Sequence, residues 1–252
     1  PQALDSIFDQ IGAVVIVVRI DEEETAPATL ANVIGGVDAN TGTYEGVHAF
    51  LASENITGFV PKILIAPGFT HTRTEAVGET PATSNPVVAE LIGIAERLKA
   101  VIVADGPNTN DADAIAYSED FGSKRVFLVD PKVLKSVAGE TSQEWASACV
   151  AGLIAKSDND RGWWWSPSNQ EINGIVGTAR AIDFAMGDAN CRANLLNEKN
   201  ITTIIRQQGY RLWGNRTLSS DSKWAFLCVV RTADMIDESL KAAHLWAVDR
   251  GI

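Results

Sequence analysis

Short runs of aliphatic and β-branched residues alternate with amphipathic stretches along most of this chain. AVVIVVRI (13–20), KILIAPG (62–68), VIVAD (101–105) and KRVFLVD are apolar runs of strand length. AVVIVVRI is continuously β-branched, which predicts a strand buried on both faces. Its residue types fit the pleated sheet. Between these runs the spacing turns helical. ALDSIFDQ predicts a short helix with Leu4, Ile7 and Phe8 on one side, ended by Gly12. ATLANVIG predicts a short helix or turn, and a further helix is expected at about Tyr44–Ser53. Asn85-Pro86 opens a helix, because Asn caps free amides and Pro fits the first helical position. Val87, Leu91, Ile94, Ala95 and Leu98 follow at helical spacing, so that helix should lie on the sheet. Residues 111–121 and SQEWASACVAGLIAK predict two more helices.

The last third is less regular. ITTIIRQQG (201–209), YRLWG and AFLCVVRT (225–232) read as strands, either an edge hairpin or a return into the same sheet. A final helix over about Asp234–Val248 would turn Ile236, Leu240, Ala243 and Ala247 inward. Strands alternating with helices predict an α/β fold: a mostly parallel or mixed sheet covered by helices on both faces, with an edge hairpin or extra strands in the C-terminal third. No internal repeat or low-complexity linker divides residues 1–252, so one compact body is expected.

Composition narrows the chemistry. Apolar residues make up 46% and charged residues 21%, a globular balance. The net charge of −11 argues against a general nucleic-acid binder, which needs a basic face to displace counterions. Cys149, Cys191 and Cys228 lie far apart without a CxxC pair, which suggests a reducing compartment and neither a disulfide framework nor a zinc site. No signal peptide and no membrane-spanning apolar run is present in these residues. The N-x-T triplets at Asn55, Asn200 and Asn215 are then chance matches to a glycosylation pattern.

Catalytic and cofactor motifs are missing. The glycine-rich IGGVDANTGTYEG matches neither phosphate-binding pattern and does not directly follow a strand. No GxSxG elbow accompanies His48, His71 or His244. The acidic stretches DGPNTNDAD (105–113) and SDND (157–160) lack calcium-loop spacing, and Asp111 fits a helix cap better. No cofactor or metal is expected.

Arg161–Ser222 holds four of the seven tryptophans together with many Asn and Gly residues. Trp163, Trp164 and Trp165 cannot all face one way. They suit core packing or a protein interface, with a base or sugar platform as the weaker reading, because only Arg161 adds basic charge beside them. In YRLWGNRTLSSD, Gly214 suggests a turn, around which Arg211, Trp213, Asn215 and Arg216 gather as a structural staple or subunit contact. Arg216 is expected to be buried or interfacial.

Two blocks of this stretch, WWWSPSNQEINGI and LNEKNITTIIRQQGYRLWGNRTLSSD, resemble the sheath subunit of contractile phage tails. The likeness is closest to simple-baseplate phages and R-type pyocins, and extends more loosely over the whole chain. The resemblance implies a structural subunit, not an enzyme, stacked as hexameric rings around a tail tube and contracting to drive the tube through a cell envelope. It implies the tube protein, the baseplate and other sheath subunits as partners, the last joined by terminal strands added to a neighbour's sheet. It places the protein in the virion tail and, during assembly, in the host bacterial cytoplasm. Because such subunits are longer at both ends, residues 1–252 would be their core without the N-terminal arm or the tube-contacting C-terminal part. The rivals are an α/β hydrolase or carbohydrate-binding protein with a deep polar pocket beside Trp163–Trp165, and a monomeric adhesin that exposes them.

Overall fold

The computed structural model describes residues 2–73, 83–248 and 250. In chain order the elements are α1 (Gln2–Phe8), α2 (Ala26–Ile34), β1 (Gly36–Val37), β2 (Tyr44–Glu45), a 3-10 segment (Gly46–Ala52), α3 (Ser53–Thr57), β3 (Ile63–Leu64), α4 (Pro86–Leu98), β4 (Val101–Asp105) and α5 (Asp111–Glu119). There follow β5 (Val126–Val129), β6 (Val133–Val137), β7 (Glu140–Glu144), α6 (Ala146–Arg161), β8 (Gly177–Thr178), α7 (Arg192–Glu198), β9 (Ile201–Arg206), β10 (Tyr210–Trp213) and α8 (Leu227–His244).

The principal sheet has five strands in the order β10-β9-β5-β4-β3. β3, β4, β5 and β9 run parallel, and β10 returns antiparallel on β9. The segment 201–214 is thus both a hairpin and part of the main sheet. Every residue of VIVAD in β4 and of VFLV in β5 is buried, as a strand covered on both faces requires. Successive side chains divide between two cores. Ile102, Ala104, Val126 and Leu128 meet Val87, Val88, Leu91 and Ala95 of α4. Val101, Val103, Phe127 and Val129 meet Cys149, Val150 and Leu153 of α6 and Leu227 and Val230 of α8. α4 begins where its cap predicts: Asn85 Oδ1 accepts from Val88 N at 3.0 Å, and Pro86 occupies the first turn.

A second sheet, ordered β7-β6-β8, was not expected from the sequence. Its hairpin turns at Ala138 and Gly139, both with positive φ, a turn whose twist suits antiparallel strands. SQE therefore lies in a strand and not in the helix predicted for it. These polar residues carry little β signal, and β6 supplies the ladder.

Other expectations are corrected too. AFLCVVRT forms no strand: from Leu227 it is the start of α8, because Leu227, Val230 and Asp234 recur on the buried face. Ile236 and Leu240 are 56% and 54% exposed, and Ala243 and Ala247 also face solvent. Only the first half of α8 lies on the sheet. The helix expected over Tyr44–Ser53 is instead β2 followed by 3-10 turns, and KILIAPG is in the ladder only at Ile63–Leu64. Asn110, not Asp111, caps α5, accepting from Asp113 N at 2.9 Å. Most consequential is AVVIVVRI. It belongs to no strand, and Val14 and Val17 are 69% and 64% exposed. Residue types can prepare a strand, but a neighbouring backbone has to complete it.

Candidate functional site

Trp163, Trp164 and Trp165 follow α6, which ends at Gly162 with φ 98°. The positive φ turns the chain sharply at the end of the helix. Trp163 is half-buried and stands edge-on to Trp164, ring centres 4.9 Å apart at 83°. Trp164 and Trp165 are 54% and 50% exposed, with the Arg161 guanidinium 5.8 Å from the Trp165 ring. The cavity beside Trp163 is about 40 Å³, lined by Lys62, Lys99, Arg231, Asp234, Met235 and Glu238. A small-molecule site takes roughly 300 Å³ or more. Its acids are engaged: Asp234 with Arg125, and Glu238 with Lys62.

The residues around Gly214 serve the hairpin. Arg211 donates to Gln207 O at 2.9 Å and to Asn169 O at 2.8 Å. The Trp213 indole N–H donates to Asn194 Oδ1 at 3.0 Å, and its ring lies 4.6 Å from that of Phe184. Gly214 has φ 151°, and a Cβ there would stand 2.4 Å from Thr202 Oγ1, so the position excludes larger residues. Asn215 O accepts from Leu227 N at 2.9 Å, tying the turn to α8. Arg216 lies half-exposed with its guanidinium 5.1 Å from the Phe226 ring. The fully buried arginine is Arg125, which meets Asp234, Glu96 and Ala100 O. In the sequence it is an ordinary cation before a strand, with no local sign of its partners.

A polar centre occupies the carboxyl ends of the parallel strands. Asp105, fully buried at the end of β4, accepts from Ser147 N at 2.8 Å and Ser147 Oγ at 2.7 Å. It thereby holds the first turn of α6, whose own preceding residue, Trp145, offers no side-chain cap. Burial pushes the Asp105 carboxyl up to about 6, against the opposing pull of hydrogen bonds from Ser147 and Thr70. Beside it Arg180 bridges Asp130 and Asp111, and Arg192 closes on Asp111 at 2.6 Å. The Arg192 hydrogen bond leads in holding the Asp111 carboxyl below its ordinary range. Asp158, in the other acidic stretch, is paired at 2.5 Å with Arg231. His48 contacts Glu90 at 2.9 Å, and His71 stacks on Trp145 with centroids 4.0 Å apart. Burial, then Lys132, lowers the His71 pKa. His244 Nδ1 lies 2.6 Å from Leu240 O. Each of these histidines thus has a structural neighbour, and among the described residues none of these contacts joins a histidine to a serine nucleophile.

Buried charges thus tie strands to helices in this α/β body, and several large aromatics partly face outward. Residues 42–218 match the family described as the phage tail sheath protein central domain. The chain belongs to the phage tail sheath family. It is 48% identical to a protein of Pseudomonas aeruginosa (strain UCBPP-PA14) described as a prophage major tail sheath protein, over 99% of this chain and 62% of that one. It is 35% identical to the tail sheath protein of Escherichia phage P2, again over 99% and 62%. Thus the chain spans about three-fifths of the length of these relatives. The fold is that of the anti-feeding prophage helical sheath in the contracted state, with a TM-score of 0.63, 20% identity, and coverage of 99% of this chain and 60% of that one. The contracted sheath of an extracellular contractile injection system matches with a TM-score of 0.57, 19% identity, and coverage of 90% and 59%.

Proposed function

We propose that this chain is the structural core of a contractile tail sheath subunit, which stacks with its copies as hexameric rings around a tail tube and contracts to drive the tube through a cell envelope. It acts by docking, without a catalytic step. Its partners are other sheath subunits, the tube protein and the baseplate, and its place is the virion tail after assembly in the bacterial cytoplasm. Residues 1–252 make up the rigid α/β part of that subunit.

The observation that carries this reading is the apolar surface beyond the sheet. Leu240, Leu245, Trp246 and Val248 are each more than half exposed at the end of α8 and in the turn after it, and Trp164 and Trp165 add a second patch. Exposed apolar area of this kind marks interaction surfaces. Electron microscopy of the subunit at the length of its relatives tests the proposal: striated cylinders are expected, and dispersed particles under all assembly conditions would refute it.

A further inference from the structure

Ala13–Ile20 lies opposite the free edge of β3 across an apolar slot. Two cavities that share Ile7, Val15, Ile16, Phe50 and Ile65, of about 320 and 270 Å³, separate the two segments. Phe50 borders the slot from the 3-10 segment, and Ala151 and Ala155 of α6 border it from the other helical layer. Among the described residues, both long walls are backbone edges without partners. β3 is bonded to β4 on one side and ends the sheet on the other. Residues 12–20 make no backbone–backbone hydrogen bond among the described residues.

Such edges rarely stay unpaired beside apolar surface, because each N–H and C=O left without water or a partner is costly. One extended segment would satisfy both walls. Lying between two helical layers, it would need apolar side chains at successive positions, as buried parallel strands do.

We infer that this slot receives an extended apolar segment of the subunit's own polypeptide, from the part its relatives possess beyond the matched 62%. The segment adds two strands to the sheet, itself and Ala13–Ile20. Connection within one chain is favoured by position. α8 passes the start of β3, where Glu238 pairs with Lys62, and Asp237 holds Lys99 at 2.9 Å. Lys62 also lines the slot, so α8 runs beside it, and closing a loop within one chain costs little more for each added residue. The inference uses the family's length and is independent of rings or contraction.

Hydrogen exchange tests it on two proteins kept monomeric by light scattering: residues 1–252, and the subunit at the length of its relatives. Amides of Ala13–Ile20 should exchange freely in the first and roughly a hundredfold more slowly in the second. Equal fast exchange in both would overturn the inference. So would protection already present in residues 1–252, which would mean the slot closes on itself, or protection arising only on assembly, which would assign the strand to a neighbour. Val17→Pro supplies a second readout. It should leave the melting of residues 1–252 unchanged and lower that of the longer subunit by several degrees, because proline removes a ladder donor. Equal effects on both would also refute the inference.

Discussion

The guanidinium of Arg125, with no exposure to solvent, donates to the Asp234 carboxylate at 3.0 Å across 109 positions of sequence. The pair locks α8 to the start of β5, and Glu96 adds α4 to the same cation. Removing one member of a buried pair strands the other. Arg125→Ala is therefore expected to cost about 3–5 kcal/mol in urea unfolding. Arg216→Ala, which loses a half-exposed contact with Phe226, should cost roughly 0.5–1 kcal/mol. Comparable losses for the two would contradict this ranking.

Asp105 gives stability a pH dependence of unusual sign. Its carboxyl titrates at about 6 in the folded protein against the ordinary 3.8. The folded state thus holds this proton more tightly than the unfolded state. Its contribution is present below about pH 4 and is lost as pH rises through about 6. Asp105→Asn should remove that loss. Its stability relative to the native protein should rise by roughly 2 kcal/mol between pH 4 and pH 7. Parallel stability curves for the two proteins would show that the group does not titrate in this window.

Two glycines separate strain from collision. At Gly214 an added Cβ meets Thr202, including its backbone, and at Gly162 the three nearest atoms it meets all belong to the ring of the exposed Trp164. Gly214→Ala should destabilise by about 2–3 kcal/mol, from strain and overpacking together. Gly162→Ala should cost about 1 kcal/mol, because the Trp164 ring can swing away. Thermal melts of both variants decide it.

The tryptophans should divide the same way. Trp163→Ala is expected to lower stability by roughly 2 kcal/mol or more. Trp164→Ala and Trp165→Ala should change it by about 0.5 kcal/mol at most. If those exposed rings are subunit contacts, the same two changes should reduce sheath formation by the longer subunit, as counted by electron microscopy.

Leu240→Glu combined with Trp246→Glu addresses the end of α8. Both residues are exposed, so the melting of residues 1–252 should stay within about 2 °C. Residues 1–252 should also fold alone and scatter light as a monomer. In the longer subunit the double change should block assembly, and normal cylinders would clear this face of any role.

The central strands and α4 were legible in the chain because their signals are local. VIVAD is apolar at almost every position, and Asn85-Pro86 announces a helix start through side-chain and ring geometry alone. The resemblance carried by the tryptophan-rich and Gly214 blocks indicated the family. Neither local pattern nor resemblance revealed the burial of Arg125 or the hold of Asp105 on Ser147, since each depends on residues distant in the chain.

AVVIVVRI and AFLCVVRT mark the boundary between the two kinds of information. Both are rich in strand-forming residues, yet one lacks a partner edge and the other is wound into α8 against the sheet. Sequence by itself determined which segments are apolar, where several helices and turns begin, and the α/β class. Tertiary structure alone decided which extended segments are joined by ladders, which half of α8 is covered, and which charges are paired. The reason is physical: torsional preferences act within a few residues, whereas hydrogen-bond partners and burial come from parts of the chain that meet only on folding.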